Sequence, residues 1–407
     1  MADTLTFDYT VRDRNGKTKS GQMTAPTQKA VSDKLRELGY APVSISEHKE
    51  SLGKKEIKIP GLGEKVGLAD LSIFARQFAT MINSGLSLIR ALNILAAQTE
   101  NAKLAEIIGR IRSDVEQGRP LSAAMAEHDV FPKLFIAMVR AGETAGLLDS
   151  VLMRVAETLE SDLALRRKIK SAMTYPVVVL IMAFVLTAAM LVFIVPTFAG
   201  MFEQLGGELP LPTQVLMLGS DILTQYWYIV AFLPYLSWQA FKKARKVPKI
   251  RFALDKFKLK APVFGPLFHK VALSRFTRNL GSLLKAGVPI LQALEISSDT
   301  VDNGVMANAI HDVVGAVKEG ESMHTPLSNH EIFPPMTVQM IAVGEETGAI
   351  DEMLEKISQF YDQEVEATTE SLTALLEPLM IAVLGAVVGG MVIALYMPMF
   401  KIFELIQ

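Results

Sequence analysis

Two stretches of the chain run for twenty residues without a charge: Pro176 to Val195, PVVVLIMAFVLTAAMLVFIV, and Pro378 to Met397, PLMIAVLGAVVGGMVIALYM. At 1.5 Å per residue each matches a hydrocarbon core of about 30 Å. A weaker candidate lies between them, Ile222 to Phe241, with Trp227, Tyr228, Tyr235 and Trp238 near its ends. Those rings suit the membrane–water interface, and Pro234 is tolerable in a membrane helix. The competing reading for each stretch is a buried core helix. The outer two are too long for a soluble core, whereas the middle one leaves that reading open.

Outside these stretches the apolar residues fall at helical spacing. Leu71, Phe74, Phe78, Met81 and Ile82 mark one helix, and Ser84-Gly85 ends it. The next begins near Ser87, and further helices fit residues 101–117, 120–127, 133–141 and 147–170. They are separated by Gly118, by Phe131-Pro132 and by Gly142-Glu143-x-x-Gly146. The pattern then returns 202 residues later without a gap. FARQFATMINSGLSLIRAL from Phe74 aligns with FTRNLGSLLKAGVPILQAL from Phe276. Gly118 meets Gly320, Phe131-Pro132 meets Phe333-Pro334, and Gly142, Glu143, Gly146 and Asp149 meet Gly344, Glu345, Gly348 and Asp351. The register continues into the apolar stretches, where Pro176, Pro196 and Phe198 meet Pro378, Pro398 and Phe400. Ser87 aligns with Pro289, a favoured opening residue of a helix, so both copies place the same boundary. Pro326 stands where the first copy has Ala124, which predicts an irregular short helix there. Each copy reads as a bundle of about six antiparallel helices that runs directly into a membrane helix.

The first fifty residues follow another pattern. Phe7 to Val11 alternates as a strand, Asn15-Gly16 is a hairpin turn before a second strand, and Pro26-Thr27 opens a helix through Leu38 that Gly39 stops. Val43 to Ile45 makes a last short strand. The predicted architecture is mainly α: a polytopic membrane protein with two homologous cytoplasmic helical bundles, three transmembrane helices and a small N-terminal α+β module. Its expected boundaries are the module at 1–50, a linker at 51–67, the first bundle at 68–170 and a span at 171–196. An extracytoplasmic loop at 197–221 and a second span at 222–241 follow. Then come a basic connector at 242–269, the second bundle at 270–371, a third span at 372–398 and an extracytoplasmic tail at 399–407.

Charge orients this arrangement. Arg166, Arg167, Lys168 and Lys170 precede the first span, no Lys or Arg occurs from Ser171 to Phe241, and Lys242, Lys243, Arg245, Lys246, Lys249 and Arg251 then arrive together. The positive-inside rule places both flanks in the cytoplasm, the intervening loop outside and the C-terminus outside. The first seventy residues hold no continuous apolar run, so insertion is expected to rest on internal spans.

Several chemistries are excluded by composition. There is no Cys in the 407 residues, which removes disulfides, thiolate metal sites and cysteine catalysis. The net charge of −2 gives no case for a nucleic-acid partner. Asn15-Gly16-Lys17-Thr18 imitates the end of a phosphate loop, but Val11 stands where Gly is required. The six His residues have no metal-ligand spacing, and His324 and His330 read as solvated. No catalytic, cofactor or metal residues are therefore expected. The Lys242–Lys260 run is explained by topology and anionic lipid.

The strand–NG–strand–helix module, FARQFATMINSGLSL, the Gly-Glu-x-x-Gly turns, KSAMTYP, FIVPTFAGMF and ELPLPT resemble the PilC/GspF family. These are the inner-membrane platform proteins of type IV pilus and type II secretion machines. The likeness covers essentially the whole chain, and QFATMINSGLSLIRALNILAAQTEN favours the pilus branch. It implies an oligomeric scaffold in the bacterial inner membrane rather than an enzyme. Such a scaffold contacts a cytoplasmic hexameric ATPase, pilin or pseudopilin subunits and inner-membrane alignment proteins. A transporter is the main competitor, and it would need polar or broken helices at mid-membrane.

Under that resemblance, the partner-interface candidates are Glu143 and Glu345 with Gly142 and Gly344, Arg76 and Arg278, and Glu377. For the Gly-Glu turns the structural reading makes the glycines helix C-caps and the glutamates charges favouring the next helix dipole. The functional reading docks the turns on a basic surface of the ATPase or of a neighbouring protomer. A cation held by Glu143 with Asp149 is a third reading, short of ligands. Arg76 and Arg278 are expected either to pair with an acid of their own domain or to serve an interface. Glu377 lies at the edge of the third span, facing either a groove for a pilin helix or the headgroups. Gly385 and Gly389, with Gly390 beside them, form a GxxxG pattern that favours close helix packing.

Overall fold

The computed structural model describes residues 5–12, 18–25, 27–47, 65–204, 210–245 and 247–405. The N-terminal unit is a three-stranded antiparallel sheet in the order β2-β1-β3, from β1 (Leu5–Arg12), β2 (Thr18–Ala25) and β3 (Ala41–Glu47). Helix α1 (Gln28–Glu37) packs on it. Alternation sends Phe7 and Val11 to one face, where they meet Val31 and Leu35 of α1 in a small core. Thr27 caps α1 as expected, accepting the Ala30 N–H at 3.4 Å. The predicted Asn15-Gly16 turn and most of the predicted 51–67 linker lie outside the described residues.

The larger unit is helical. The first copy consists of α2 (Leu68–Asn83), α3 (Leu88–Gln98), α4 (Ala102–Glu116), α5 (Leu121–Ala126), α6 (Lys133–Ala145) and α7 (Leu148–Ala189). A π-helical stretch, Met190–Ile194, and α8 (Val195–Gln204) prolong α7. After α9 (Leu211–Gln225), α10 (Trp227–Ala244) and α11 (Pro248–Lys260) the second copy begins with α12 (Gly265–Lys285). It continues through α13 (Ile290–Thr300), α14 (Gly304–Lys318), α15 (His324–Ser328), α16 (Pro335–Thr347) and α17 (Ile350–Leu405). The bounds of α3, α4 and α6 recur in α13, α14 and α16 at the offset read from the sequence. Helix α15, which contains Pro326, is one residue shorter than its counterpart α5. The left-handed glycines recur as well, with Gly85, Gly118 and Gly146 matching Gly287, Gly320 and Gly348.

One hydrophobic cluster runs through both copies. Its aromatic centre is duplicated: Phe74 faces Phe131 at 5.9 Å between ring centroids, and Phe276 faces Phe333 at 5.5 Å. Both copies meet along α7, α12 and α17, so neither buries its core alone.

Each bundle runs directly into its apolar segment as read from the sequence, and the helices differ from the expected segments at 197–221, 222–241 and 399–407. Helices α7 and α17 pass from bundle into apolar segment without a break, and α17 is roughly 80 Å long at 1.5 Å per residue. Pro176 sits inside α7, where its missing N–H leaves the Ala172 carbonyl without its helical partner. Residues 197–221 are not a simple loop, since α8 and α9 occupy most of them and α9 packs on the apolar helices. There the Thr213 hydroxyl donates to the Ala394 carbonyl at 2.5 Å, and Gly219 lies against Leu191. Pro210 and Pro212 open α9, which is why a segment without a long apolar run still forms a helix. The predicted 222–241 helix is broken at Tyr226, where α9 and α10 meet at 75°. Among the described residues two helices, not three, are unbroken and long and apolar enough to cross a membrane, with the bent α9–α10 pair a third candidate. The expected tail at 399–407 is helical through Leu405, as the last turns of α17.

Candidate functional surfaces

Helix α5 begins after Pro120 and α15 after Met323, neither of which offers a capping side chain. The first N–H groups of each helix therefore need an acceptor from elsewhere. Glu143 supplies it in the first copy, accepting the Leu121 N–H at 2.5 Å and the Ser122 N–H at 3.0 Å. Glu345 does the same in the second, accepting from Met323 at 2.5 Å and His324 at 3.1 Å. The predicted structural role of these glutamates is thus corrected in detail. They serve the N-terminus of a helix distant in sequence, not that of the helix that follows. Both oxygens of each carboxylate point into its own bundle. The reading of His324 and His330 as solvated is corrected too: His324 Nδ1 lies 2.5 Å from Glu345, and His330 Nε2 lies 3.5 Å from Asp312.

Gly142 and Gly344 are not C-caps. They lie inside α6 and α16, and the caps are Gly146 and Gly348, at φ 71° and 73°. Gly142 is small because α7 crosses it closely: a Cβ there would lie 3.0 Å from Val151. At Gly344 a Cβ would lie 2.9 Å from the Ile350 Cα. No group of three or more His, Asp or Glu poised to hold a metal occurs among the described residues. Glu143 is engaged with α5, so the Glu143–Asp149 cation reading has little left to stand on.

Arg76 and Arg278 pair inside their own copies. Arg76 Nε donates to Glu160 at 2.6 Å, and its Nη2 forms a second bond to the same carboxylate. Arg278 pairs with Asp362 and bonds Ser274. Glu160 and Asp362 occupy equivalent positions in the repeat, so the ion pair between the first and last helices is itself duplicated. Hydrogen bonding from Arg76 holds the Glu160 carboxyl below the usual carboxylate range, against an opposing effect of desolvation.

The seam between the copies is polar. Arg275 Nη2 lies 2.9 Å from Asp162 Oδ1, Lys168 pairs with Glu366 at 2.7 Å, and the Thr158 and Ser282 hydroxyls bond at 3.1 Å. A cavity of about 150 Å³ opens there, lined among others by Arg154, Glu157, Arg278, Glu355 and Asp362. Arg278 is nine-tenths buried, and its Nη1 has no partner among the described residues. That is the environment in which a polar cavity holds water.

Along the apolar helices the side chains are bare. Phe184, Phe193, Ile381 and Ile393 are each more than half exposed, the reverse of a soluble core. A Cβ at Gly385, Gly389 or Gly390 would meet nothing within 4 Å, so the GxxxG surface is unpartnered among the described residues. Glu377 is exposed and makes no ion pair or hydrogen bond among the described residues. Glu160, Asp362 and Asp255 were not singled out from the sequence. For the first two, the shared repeat position of the two acids carried the signal.

Duplicated helical bundles that continue into bare apolar helices define a membrane-associated protein built from a repeated helical domain. The family model "Type II secretion system (T2SS), protein F" matches residues 74–196 and again 276–398, and that of the protein F N-terminal domain matches residues 1–46. The chain belongs to this family. It is 42% identical over 405 residues to the type IV pilus assembly protein PilC of Myxococcus xanthus, covering 99% of this chain and 96% of the relative. It is also 42% identical to PilC of Thermus thermophilus, over 97% of this chain and 98% of that one. Similarity to the type II secretion system protein F of Xanthomonas campestris is lower, 33% over 97% and 98% of the two chains.

Proposed function

We propose that this chain is the inner-membrane platform of a type IV pilus assembly machine. It couples a cytoplasmic hexameric ATPase to the extraction of pilin subunits from the membrane and their polymerisation. The observation that carries the reading is the continuity of α7 and α17. Each runs as a continuous helix from the core of a bundle into an apolar segment, α7 through Pro176 and on into the π-helical stretch Met190–Ile194, so a displacement of the bundle is delivered inside the bilayer. Full-length similarity to pilus assembly proteins selects the pilus branch over the equivalent platform of a type II secretion system. In this reading the N-terminus and both bundles are cytoplasmic, the α9–α10 pair crosses as a broken span, and the protein self-associates. Alignment proteins of the inner membrane bind its exposed surfaces.

The test is co-purification of the full-length protein from its host in mild detergent, with mass spectrometry of what accompanies it. A hexameric assembly ATPase together with pilin-like proteins is the expected result. Recovery of secretion pseudopilins in their place would move the protein to the secretion branch. Recovery of neither would overturn the platform reading and favour substrate flux assays in vesicles.

A further inference from the structure

Helix α11 follows α10 within a few residues, and the short turn Ala261–Phe264 joins its other end to α12. Leu267, in the first turn of α12, packs with Leu165, Val365 and Leu372, where α7 and α17 approach their apolar segments. Helix α11, about 20 Å long for its thirteen residues, thus packs where α12 and α14 begin, near the end of the second bundle from which the apolar segment of α17 continues. Asp255 fixes its rotation. This buried carboxylate accepts the Gly304 N–H at 3.1 Å and the Lys258 ammonium at 3.0 Å, turning that face onto the start of α14.

The opposite face is apolar and bare. Ile250 and Phe257, two turns apart on one side of the helix, are 41% and 73% exposed, and Val247 just before the helix is 46% exposed. Cations border this stripe, with Arg251 and Lys258 on one side and Lys256 and Lys260 on the other. Arg245, Lys256 and Lys260 have no carboxylate partner among the described residues. An exposed aromatic side chain flanked by Arg251 and Lys258, which pair with Asp255, and by Lys256 and Lys260, which have no carboxylate partner among the described residues, is the arrangement of an interfacial helix.

We propose that α11 seats Phe257 and Ile250 in the surface of an anionic phospholipid bilayer. It thereby sets the height and tilt of the second bundle beneath the membrane. The charge pattern selects a lipid surface over a second copy of this chain, since the stripe is bordered only by cations and continues directly from α10. This inference rests on the membrane reading above, and the experiment separates the two. Full-length protein carrying Trp227→Phe and Trp238→Phe receives a single reporter, Phe257→Trp, Ile250→Trp or Val185→Trp in α7. Each is reconstituted in phosphatidylcholine vesicles with and without phosphatidylglycerol, using brominated acyl chains as quenchers.

In anionic vesicles the two α11 reporters are expected to lose roughly half their emission to bromine. The loss should shrink in neutral vesicles and with Lys256→Glu/Lys260→Glu. If Val185→Trp is quenched but neither α11 reporter is, the inference falls and the membrane reading stands. A blue-shifted but unquenched α11 reporter means that protein covers the stripe, which also overturns it. Equal quenching in neutral vesicles overturns the anionic preference. If Val185→Trp is itself unquenched, the membrane reading fails.

Discussion

At the residue scale, the charged side chains singled out from the sequence are mostly engaged within their own bundles. Glu143 and Glu345 accept from helix N-termini that lack local caps, so replacing either by Ala should destabilise its bundle by about 1–2 kcal/mol, read from thermal melts in detergent. The same replacements should leave any ATPase contact changed only in proportion to the unfolding. The Arg76–Glu160 pair makes a pH prediction. The lowered Glu160 value means its contribution is present above the ordinary carboxylate range and is lost as pH falls through the lowered folded-state value. Glu160→Gln should therefore flatten the acid side of the stability profile. Because Glu160 is 42% exposed, solvent screening keeps the effect below about 1 kcal/mol. A Glu160→Gln melt as steep in acid as wild type would contradict this.

Among elements, the α6–α7 and α16–α17 hairpins are decided by two glycines with different duties. Gly146 and Gly348 end their helices in the left-handed conformation, whereas Gly142 and Gly344 let the next helix cross closely. Gly344→Ala should cost about 1–3 kcal/mol through overpacking against Ile350, and Gly348→Ala about 1–2 kcal/mol through backbone strain. Equilibrium denaturation of the two variants checks both, and unchanged midpoints would refute the assignment. By contrast, Gly85→Ala breaks no close contact, and its cost should be that of the left-handed backbone alone.

For the whole molecule, the two copies share one core and a polar seam. Arg275 joins Asp162 of the first copy and Asp302 of the second, so Arg275→Ala should loosen the seam before either bundle melts. Protease cleavage near α7 or α12 at temperatures below the main transition would report that loosening. That the glycine surface of α17 packs on a second copy, as its GxxxG pattern favours, can be tested by substitution. Gly385→Leu/Gly389→Leu should leave the fold of the single chain intact, since a Cβ at either position meets nothing within 4 Å. It should reduce self-association measured by cross-linking, and unchanged cross-linking would assign the surface to lipid.

The sequence by itself determined the duplication, its register, most bundle helix bounds, the left-handed glycines and the two long apolar helices. Each of these is written in local periodicity, in turn chemistry or in a repeat that states every boundary twice. Tertiary structure decided the rest. Glu143 caps a helix more than twenty residues away, a contact with no trace in local spacing. Residues 197–204 and 211–221 are helical, with α9 packed on the apolar helices, and the predicted middle span bends at Tyr226. Asp255 is buried because α11 folds across the start of α14, although its neighbours in sequence are basic. Such features depend on which segments meet in space, and periodicity records only which face of a segment is apolar, not what covers it.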